Sequence, residues 1–256
     1  MAAVFLLLTL AFQPPQPLPY FTSASIANSA ASVAGLYAPN TLVTIYGVNL
    51  SNAGNAVSLS NVSNGTLPTS LSGASVRVLV NNILADLYYV SPTQINLLIP
   101  PILGPGPASV QVEVEALTNP PVMIMLGPTA PALFMLDSTF VLAQHGDYSL
   151  VDADSPAHAN EEIVLYATGL GATSPPPVED QVPTFAAPLA GQADFQVWIN
   201  GSPIDPSKID FVGAVPGYAG LYQINVSLPA NVPPNPEIRV GTSALISPPI
   251  RLLAVE

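Results

Sequence analysis

Apolar and polar residues alternate along much of the chain with a period of two. The clearest example is residues 110–115, where valine alternates with Gln or Glu. This period places successive side chains on opposite faces of a strand, and no run has the 3.6-residue period of an amphipathic helix. The pattern predicts strands at 42–48, 74–80, 83–90, 94–99, 109–116 and 121–126, and then at 162–168, 194–200, 209–214, 221–228, 236–240 and 249–255.

The two sets of predicted strands are copies of each other. Residues 43–50 (VTIYGVNL) recur as 163–170 (IVLYATGL), and 74–82 (ASVRVLVNN) recur as 193–201 (ADFQVWING). The second of these blocks ends on Asn-Asn in one copy and Asn-Gly in the other, which predicts a tight type I′ hairpin turn. Matching blocks in the same order indicate a duplicated domain.

A third block, Gln94-Ile95-Asn96, recurs as Gln223-Ile224-Asn225 after a longer interval. One interpretation is a pair of amides that grip a ligand. The other is structural: amides on either side of a buried Ile bind loop backbone groups and fix the strand register. The structural interpretation is favoured, because a binding site rarely recurs at two different loop lengths.

These patterns predict an all-β fold of two tandem immunoglobulin-like β-sandwich domains, residues 24–127 and 161–256. Residues 128–160 between them hold short apolar runs, so we expect an ordered inter-domain segment that packs against the sandwiches.

Residues 1–23 predict a signal-peptide-like apolar segment followed by a Pro-rich break, although the usual Lys or Arg before the apolar run is missing. The apolar part is shorter than the about 20 residues that span a bilayer. The alternative is a buried N-terminal strand. No second stretch resembles a membrane span, so we expect no integral membrane segment.

Composition excludes several classes of function. The chain has four Lys and Arg residues and sixteen Asp and Glu residues, which give a formal net charge of -12. This charge repels phosphate backbones and anionic lipids, so no nucleic-acid partner is expected. Cysteine is absent, which excludes thiol catalysis and thiolate metal sites. Charged residues make up only 8% of the chain, and 30 prolines suit short strands joined by turns.

The sequence shows no convincing catalytic or cofactor motif. His145 and His158 are the only histidines, and no Gly-x-Ser-x-Gly elbow precedes either, so we interpret both as loop or junction residues. Asp147, Asp152 and Asp154 are weak calcium candidates, together with Glu161 and Glu162, because calcium prefers oxygen-rich loops. Their spacing does not fit an EF-hand, and a solvated acidic loop is the alternative.

Large aromatic side chains are the remaining candidates for a binding site. Tyr46, Tyr166, Tyr222 and Trp198 all fall within predicted strands, so we expect them in or near the core. A sugar-binding platform would instead require several of them to face outward.

Seven further segments form a specific set of motifs: 26–32 (IANSAAS), 38–47 (APNTLVTIYG), 67–73 (LPTSLSG), 89–96 (YVSPTQIN), 130–134 (APALF), 165–171 (LYATGLG) and 216–226 (PGYAGLYQINV). Together they resemble a bacterial family of C-terminal domains of large secreted proteins, abundant in soil acidobacteria and known as the Solibacter-type C-terminal domain. The first copy also resembles IPT/TIG domains, immunoglobulin-like modules of cell-surface receptors and secreted glycan-active enzymes. Both resemblances imply a fold and an extracellular location, and neither implies a reaction.

Three functional hypotheses follow. The leading one is a non-catalytic secreted or cell-surface interaction or structural module, which offers sandwich faces, loops or strand edges to a protein or polysaccharide. The second is a carbohydrate-binding accessory domain, which outward-facing Tyr or Trp in a row would mark. The third is a hydrolase, which requires a pocket that joins His145 or His158 to acidic residues.

Overall fold

A computed structural model of the chain describes residues 17–57, 62, 65–71, 73 and 75–256. The predicted signal-peptide-like run, residues 1–12, lies outside this range. Strands make up the described fold, with short 3₁₀ turns at Ser23–Ser25, Gln192–Asp194 and Pro206–Lys208. The predicted all-β class is confirmed.

The first sandwich packs two sheets face to face. Its strands are β1 (Ile26–Asn28), β2 (Leu36–Tyr37), β3 (Leu42–Tyr46), β4 (Asn55–Ala56), β5 (Val76–Val80), β6 (Ile83–Leu84), β7 (Leu87–Val90), β8 (Gln94–Leu98), β9 (Gly106–Val114), β10 (Leu117–Thr118) and β11 (Val122–Leu126). One sheet has the order β1-β3-β8-β7-β4 and the other β2-β11-β9-β5-β6, with β10 against β9. All pairs are antiparallel except β2 with β11.

The period of two in the sequence is explained by how β5 pairs with β9. Val78 lies opposite Val112 and both are fully buried in the first core. Arg77 lies opposite Glu113 on the outer face, where the two side chains form an ion pair. Burying one face of each strand therefore dictates both register and alternation.

The second sandwich repeats this plan. Its strands are β12 (Ala132–Leu133), β13 (Ala143–His145), β14 (Glu162–Thr168), β15 (Ala187–Pro188), β16 (Phe195–Ile199), β17 (Ser202–Pro203), β18 (Ile209–Ala214), β19 (Tyr222–Ser227), β20 (Ile238–Thr242) and β21 (Leu245–Ile246). One sheet has the order β12-β14-β19-β18-β15, with β13 against β14, and the other β17-β16-β20-β21. The repeated blocks occupy equivalent places, since β3 pairs with β8 as β14 pairs with β19.

Both predicted hairpin turns form with the expected backbone. Asn81 and Asn82 have φ of 49° and 64°, and Asn200 and Gly201 have φ of 48° and 77°. Two consecutive residues at positive φ match the right-handed twist of the flanking strands, which is why Asn and Gly occupy these places.

The segment that connects the two copies is built into the second sandwich. Strands β12 and β13 both pair with β14. Val141, Ala143, Val151 and Ala157 belong to the second core.

The first sandwich begins before residue 24, because Phe21 packs into the first core and Tyr20 pairs with Val48.

The predicted strand at 249–255 is wrong. Leu252 makes isolated bridges with Phe140 and Glu237, and Val255 makes one with Ala157, but no continuous ladder forms. Pro248 precedes the segment and Pro249 opens it, and proline has no N–H to donate to a ladder. Within the described ranges, no helix is long and apolar enough to cross a membrane.

Candidate functional site

The structure connects three side chains in an order that resembles a serine-hydrolase triad. The Nδ1 atom of His145 bonds the carboxylate of Glu161, and its Nε2 atom lies 3.3 Å from the Ser155 hydroxyl. The same Nε2 lies closer, at 3.1 Å, to the main-chain oxygen of Ser155, a contact that requires a proton on Nε2. The bond with Glu161 raises the pKa of His145 and favours that protonated form.

This arrangement holds a loop in place rather than activating a nucleophile. A protonated Nε2 cannot accept the proton of a serine hydroxyl. The amide N–H of Ser155 already bonds Asp152 Oδ1, at 2.8 Å, so it is not free to stabilise an oxyanion. We therefore expect no labelling of Ser155 by a fluorophosphonate probe. Labelling that the Ser155→Ala variant abolishes would contradict this assignment.

The calcium candidates turn their oxygens towards their own loops. Asp147 Oδ1 accepts bonds from the Ser149 amide and hydroxyl, at 3.0 and 2.6 Å. Asp152 Oδ1 accepts from the amides of Asp154 and Ser155. In the part of the chain that the structure describes, no three His, Asp or Glu side chains form a metal-ligating group. Calcium binding here stays a prediction.

In each copy, the two amide side chains of the repeated Gln-Ile-Asn block bond each other on one face of the strand. Each central Ile is fully buried. The flanking amides bond each other, with Gln94 Nε2 2.8 Å from Asn96 Oδ1 and Gln223 Nε2 2.6 Å from Asn225 Oδ1. The prediction that these amides bond loop backbone groups is wrong. Residues two apart on a strand lie on the same face, so the Gln and Asn side chains contact each other instead.

Three of the four aromatic predictions hold. Tyr222 is fully buried, Trp198 is buried and Tyr166 is half-buried. Tyr46 is 45% exposed, so the prediction that it lies in or near the core is wrong. It lies at the outer face of the strand end, opposite Gln94, where the second sheet does not cover it.

Tyr222 ties the two sandwiches together. Its hydroxyl donates to the main-chain oxygen of Gly171, at 2.5 Å, and accepts from Asn40 Nδ2 of the first copy, at 3.2 Å. Burial raises the pKa of Tyr222 to about 12, which keeps the hydroxyl protonated. A second link runs from Leu42 N to Thr168 Oγ1, at 3.1 Å.

The Tyr222→Phe variant is expected to lower the free energy of unfolding by about 1–3 kcal/mol, because two buried polar groups lose their partner. Tyr148→Phe is the matched control, since Tyr148 is 72% exposed. Urea unfolding measures both. Equal stabilities for the two variants would show that the Tyr222 hydroxyl does not hold the junction.

A groove of about 380 Å³ opens at this junction, which we call the junction groove. One wall is the segment 173–187 of the second copy, and Asn40 comes from the first. Pockets of this size with apolar walls and a few polar groups are typical ligand sites. The described lining residues are all uncharged: Asn40, Thr173, Pro175, Pro176, Pro177, Val178, Gln181, Val182, Pro183, Thr184, Phe185, Ala187 and Ala214.

Exposed rings lie in and beside the junction groove. Phe185 is 57% exposed and lines it. Tyr218 is 63% exposed, and its neighbour Gly217 donates to the main-chain oxygen of Pro183, at 2.8 Å. Sequence reasoning missed this site, although the run of three prolines and the longer interval before Gln223 were signals of unusual loops.

Comparison with known proteins supports the fold. Residues 28–123, which lie in the first sandwich, match the IPT/TIG domain. A search of curated proteins returns no match. The resemblance to the Solibacter-type family is not confirmed by these comparisons.

Several solved structures are similar at low identity. A surface glycan-binding protein from Prevotella bryantii is 12% identical, with 90% of this chain and 41% of that chain covered and a TM-score of 0.29. A mixed-linkage glucan utilization protein from Bacteroides ovatus, in complex with a heptasaccharide, is 12% identical, with 86% and 44% covered and a TM-score of 0.34.

The tandem immunoglobulin repeats of Dlar are also 12% identical, with 87% of this chain and 92% of that chain covered and a TM-score of 0.21. The chain spans less than half of the length of the two glycan-related proteins.

The sheet topology and the domain match together identify an all-β protein with an immunoglobulin-like sandwich fold, whose first sandwich matches the IPT/TIG domain.

Proposed function

We propose that the protein is a non-catalytic interaction module of the cell exterior, and that its junction groove binds a neutral polysaccharide. One observation carries the proposal: the described lining of the groove is uncharged in a chain with a net charge of -12. Glu179 and Asp180 belong to the same wall segment, yet neither lines the groove. Such a surface favours a ligand without charge.

The groups in the junction groove suit a sugar chain. The exposed ring of Phe185 offers an apolar face for the C–H face of a pyranose ring. Gln181 provides an amide, and Thr173 and Thr184 provide hydroxyls, which can donate to and accept from sugar hydroxyls. No acid or base lines the groove among the described residues, so it can hold a chain without cleaving it.

Phe185→Ala is the test of this site. Loss of a stacked ring is expected to weaken binding to an immobilised neutral glycan about tenfold, which corresponds to about 1.4 kcal/mol. Tyr148→Ala is the matched control, because Tyr148 is 72% exposed and does not line the groove. Equal binding by both variants, or binding only to acidic glycans, would contradict the proposal.

A second candidate is a protein partner. The proline run 175–177 and Val178 give the junction groove a mainly apolar wall, which also suits an apolar peptide segment. A pull-down from secreted proteins distinguishes the two. A protein captured by the wild type and lost in Phe185→Ala, with no glycan bound, would favour the protein partner.

A further inference from the structure

The carboxyl group of Asp86 is buried in the first sandwich, and one of its two oxygens is unpaired. Asp86 lies between β6 and β7 and is only 4% exposed. Its Oδ1 atom is buried without a hydrogen-bond partner. An unpaired buried carboxylate is costly, so such a group either takes up a proton or finds a partner.

Asp86 lies beneath a short bridge between the two copies, which we call the strap: residues 65–67 paired with 180–182. Leu67 N donates to Asp180 O, and Val182 N donates to Gly65 O, both at 2.8 Å. Gln181 Nε2 adds a bond of 3.1 Å to Thr66 Oγ1. The strap therefore joins the first sandwich to the wall of the junction groove.

The groups that face Asp86 make its ionised form unfavourable. Asp180 of the strap lies within hydrogen-bonding reach, and Glu179 adds a second negative charge. Tyr88 is the remaining titratable neighbour, and its own pKa is raised by burial and by the charge of Asp86. Burial, followed by Asp180 and Glu179, raises the pKa of Asp86 to about 7. No salt bridge among the described residues offsets these charges.

We propose that Asp86 and Asp180 form a proton-operated lock between the two sandwiches. When Asp86 is protonated, its hydroxyl donates to the Asp180 carboxylate and the strap is held closed. When the proton leaves, two carboxylates repel each other in a buried place and the strap opens.

Opening the strap moves one wall of the junction groove. Val178, Gln181 and Val182 line the groove, and the last two belong to the strap. The groove is therefore expected to keep its shape in acid and to loosen above neutral pH. The lock itself does not depend on what the groove binds.

Hydrogen exchange at two amides tests the lock in the full chain without any ligand. The amides of Leu67 and Val182 donate the main-chain bonds of the strap. Their protection factors, corrected for the intrinsic exchange rate, are measured at about pH 5 and about pH 9. In the wild type, protection is expected to fall at least tenfold at the higher pH.

Asp86→Asn supplies the comparison, because a side-chain amide keeps its N–H donors at every pH and can donate to the Asp180 carboxylate throughout. In this variant both amides are expected to stay protected at both pH values. Asp147→Asn is the matched control and should behave as the wild type, since Asp147 lies in a loop of the second sandwich and is exposed.

Three results would overturn the lock. The first is unchanged wild-type protection across this range, and the second is an equal loss in Asp86→Asn. The third is a return of protection at high pH when calcium is added to the wild type, which would make the pair a cation site. Should Asp86→Asn not fold, carbon-13 titration of the Asp86 carboxyl in the wild type decides, because a pKa near 4 would exclude the lock.

Discussion

Gly169→Ala is expected to lower the free energy of unfolding by about 3 kcal/mol or more. Gly169 has a φ of +72°, a conformation that costs L-residues about 1–2 kcal/mol. A Cβ at this position would lie 2.2 Å from the main-chain oxygen of Ala130. The two residues are also hydrogen-bonded, from Ala130 N to Gly169 O at 2.8 Å, so the junction backbone has to shift.

Gly146→Ala is the matched control for that variant. Gly146 does not have a positive φ in the left-handed region, and an added Cβ would meet nothing within 4 Å. Urea unfolding of both variants measures the difference. A Gly169→Ala variant as stable as the control would show that the close approach between Gly169 and Ala130 contributes little to the fold.

The wild type is expected to lose stability as pH rises from about 4 to about 7, by about 2–4 kcal/mol. Burial and the neighbouring carboxylates raise the pKa of Asp86 from its ordinary value to about 7. A raised pKa means that the folded state binds the proton more tightly than the unfolded state does. The stabilising contribution is therefore complete below about pH 4 and is lost as pH rises through about 7.

Asp86→Asn removes the titrating group and should flatten this part of the stability profile. At about pH 8 the variant is expected to be more stable than the wild type, because an amide replaces a buried charge. Chemical unfolding at several pH values checks this. A wild-type profile that stays flat between about pH 4 and 7 would show that Asp86 ionises as an exposed carboxyl does.

The strands and the duplication were predictable because their causes are local. Burying one face of β5 and β9 forces the alternation of valine with Gln and Glu in residues 110–115. The Asn-Asn and Asn-Gly turns need positive φ, which the residue types reveal directly. The strand predicted at 249–255 does not form, because Pro248 and Pro249 precede its apolar residues and cannot donate to a ladder.

The junction was not predictable, because it depends on contacts between residues far apart in sequence. Asp86 looks like an ordinary loop carboxyl until residues 65–67 and 180–182 close over it. Loop 215–221 is longer than its counterpart in the first copy and brings Ala219 against Leu67 and Leu98. The extra length of this loop was visible in the sequence, but its contact with the first copy was not.

The most direct test of the junction groove as the binding site is chemical-shift mapping of the full chain with a series of neutral oligosaccharides. Binding in the groove predicts the largest shifts at Thr173, Gln181 and Phe185, with little change at Tyr46, which is exposed but does not line the groove. Shifts that cluster around Tyr46, or no shifts with any neutral glycan, would contradict the proposed site.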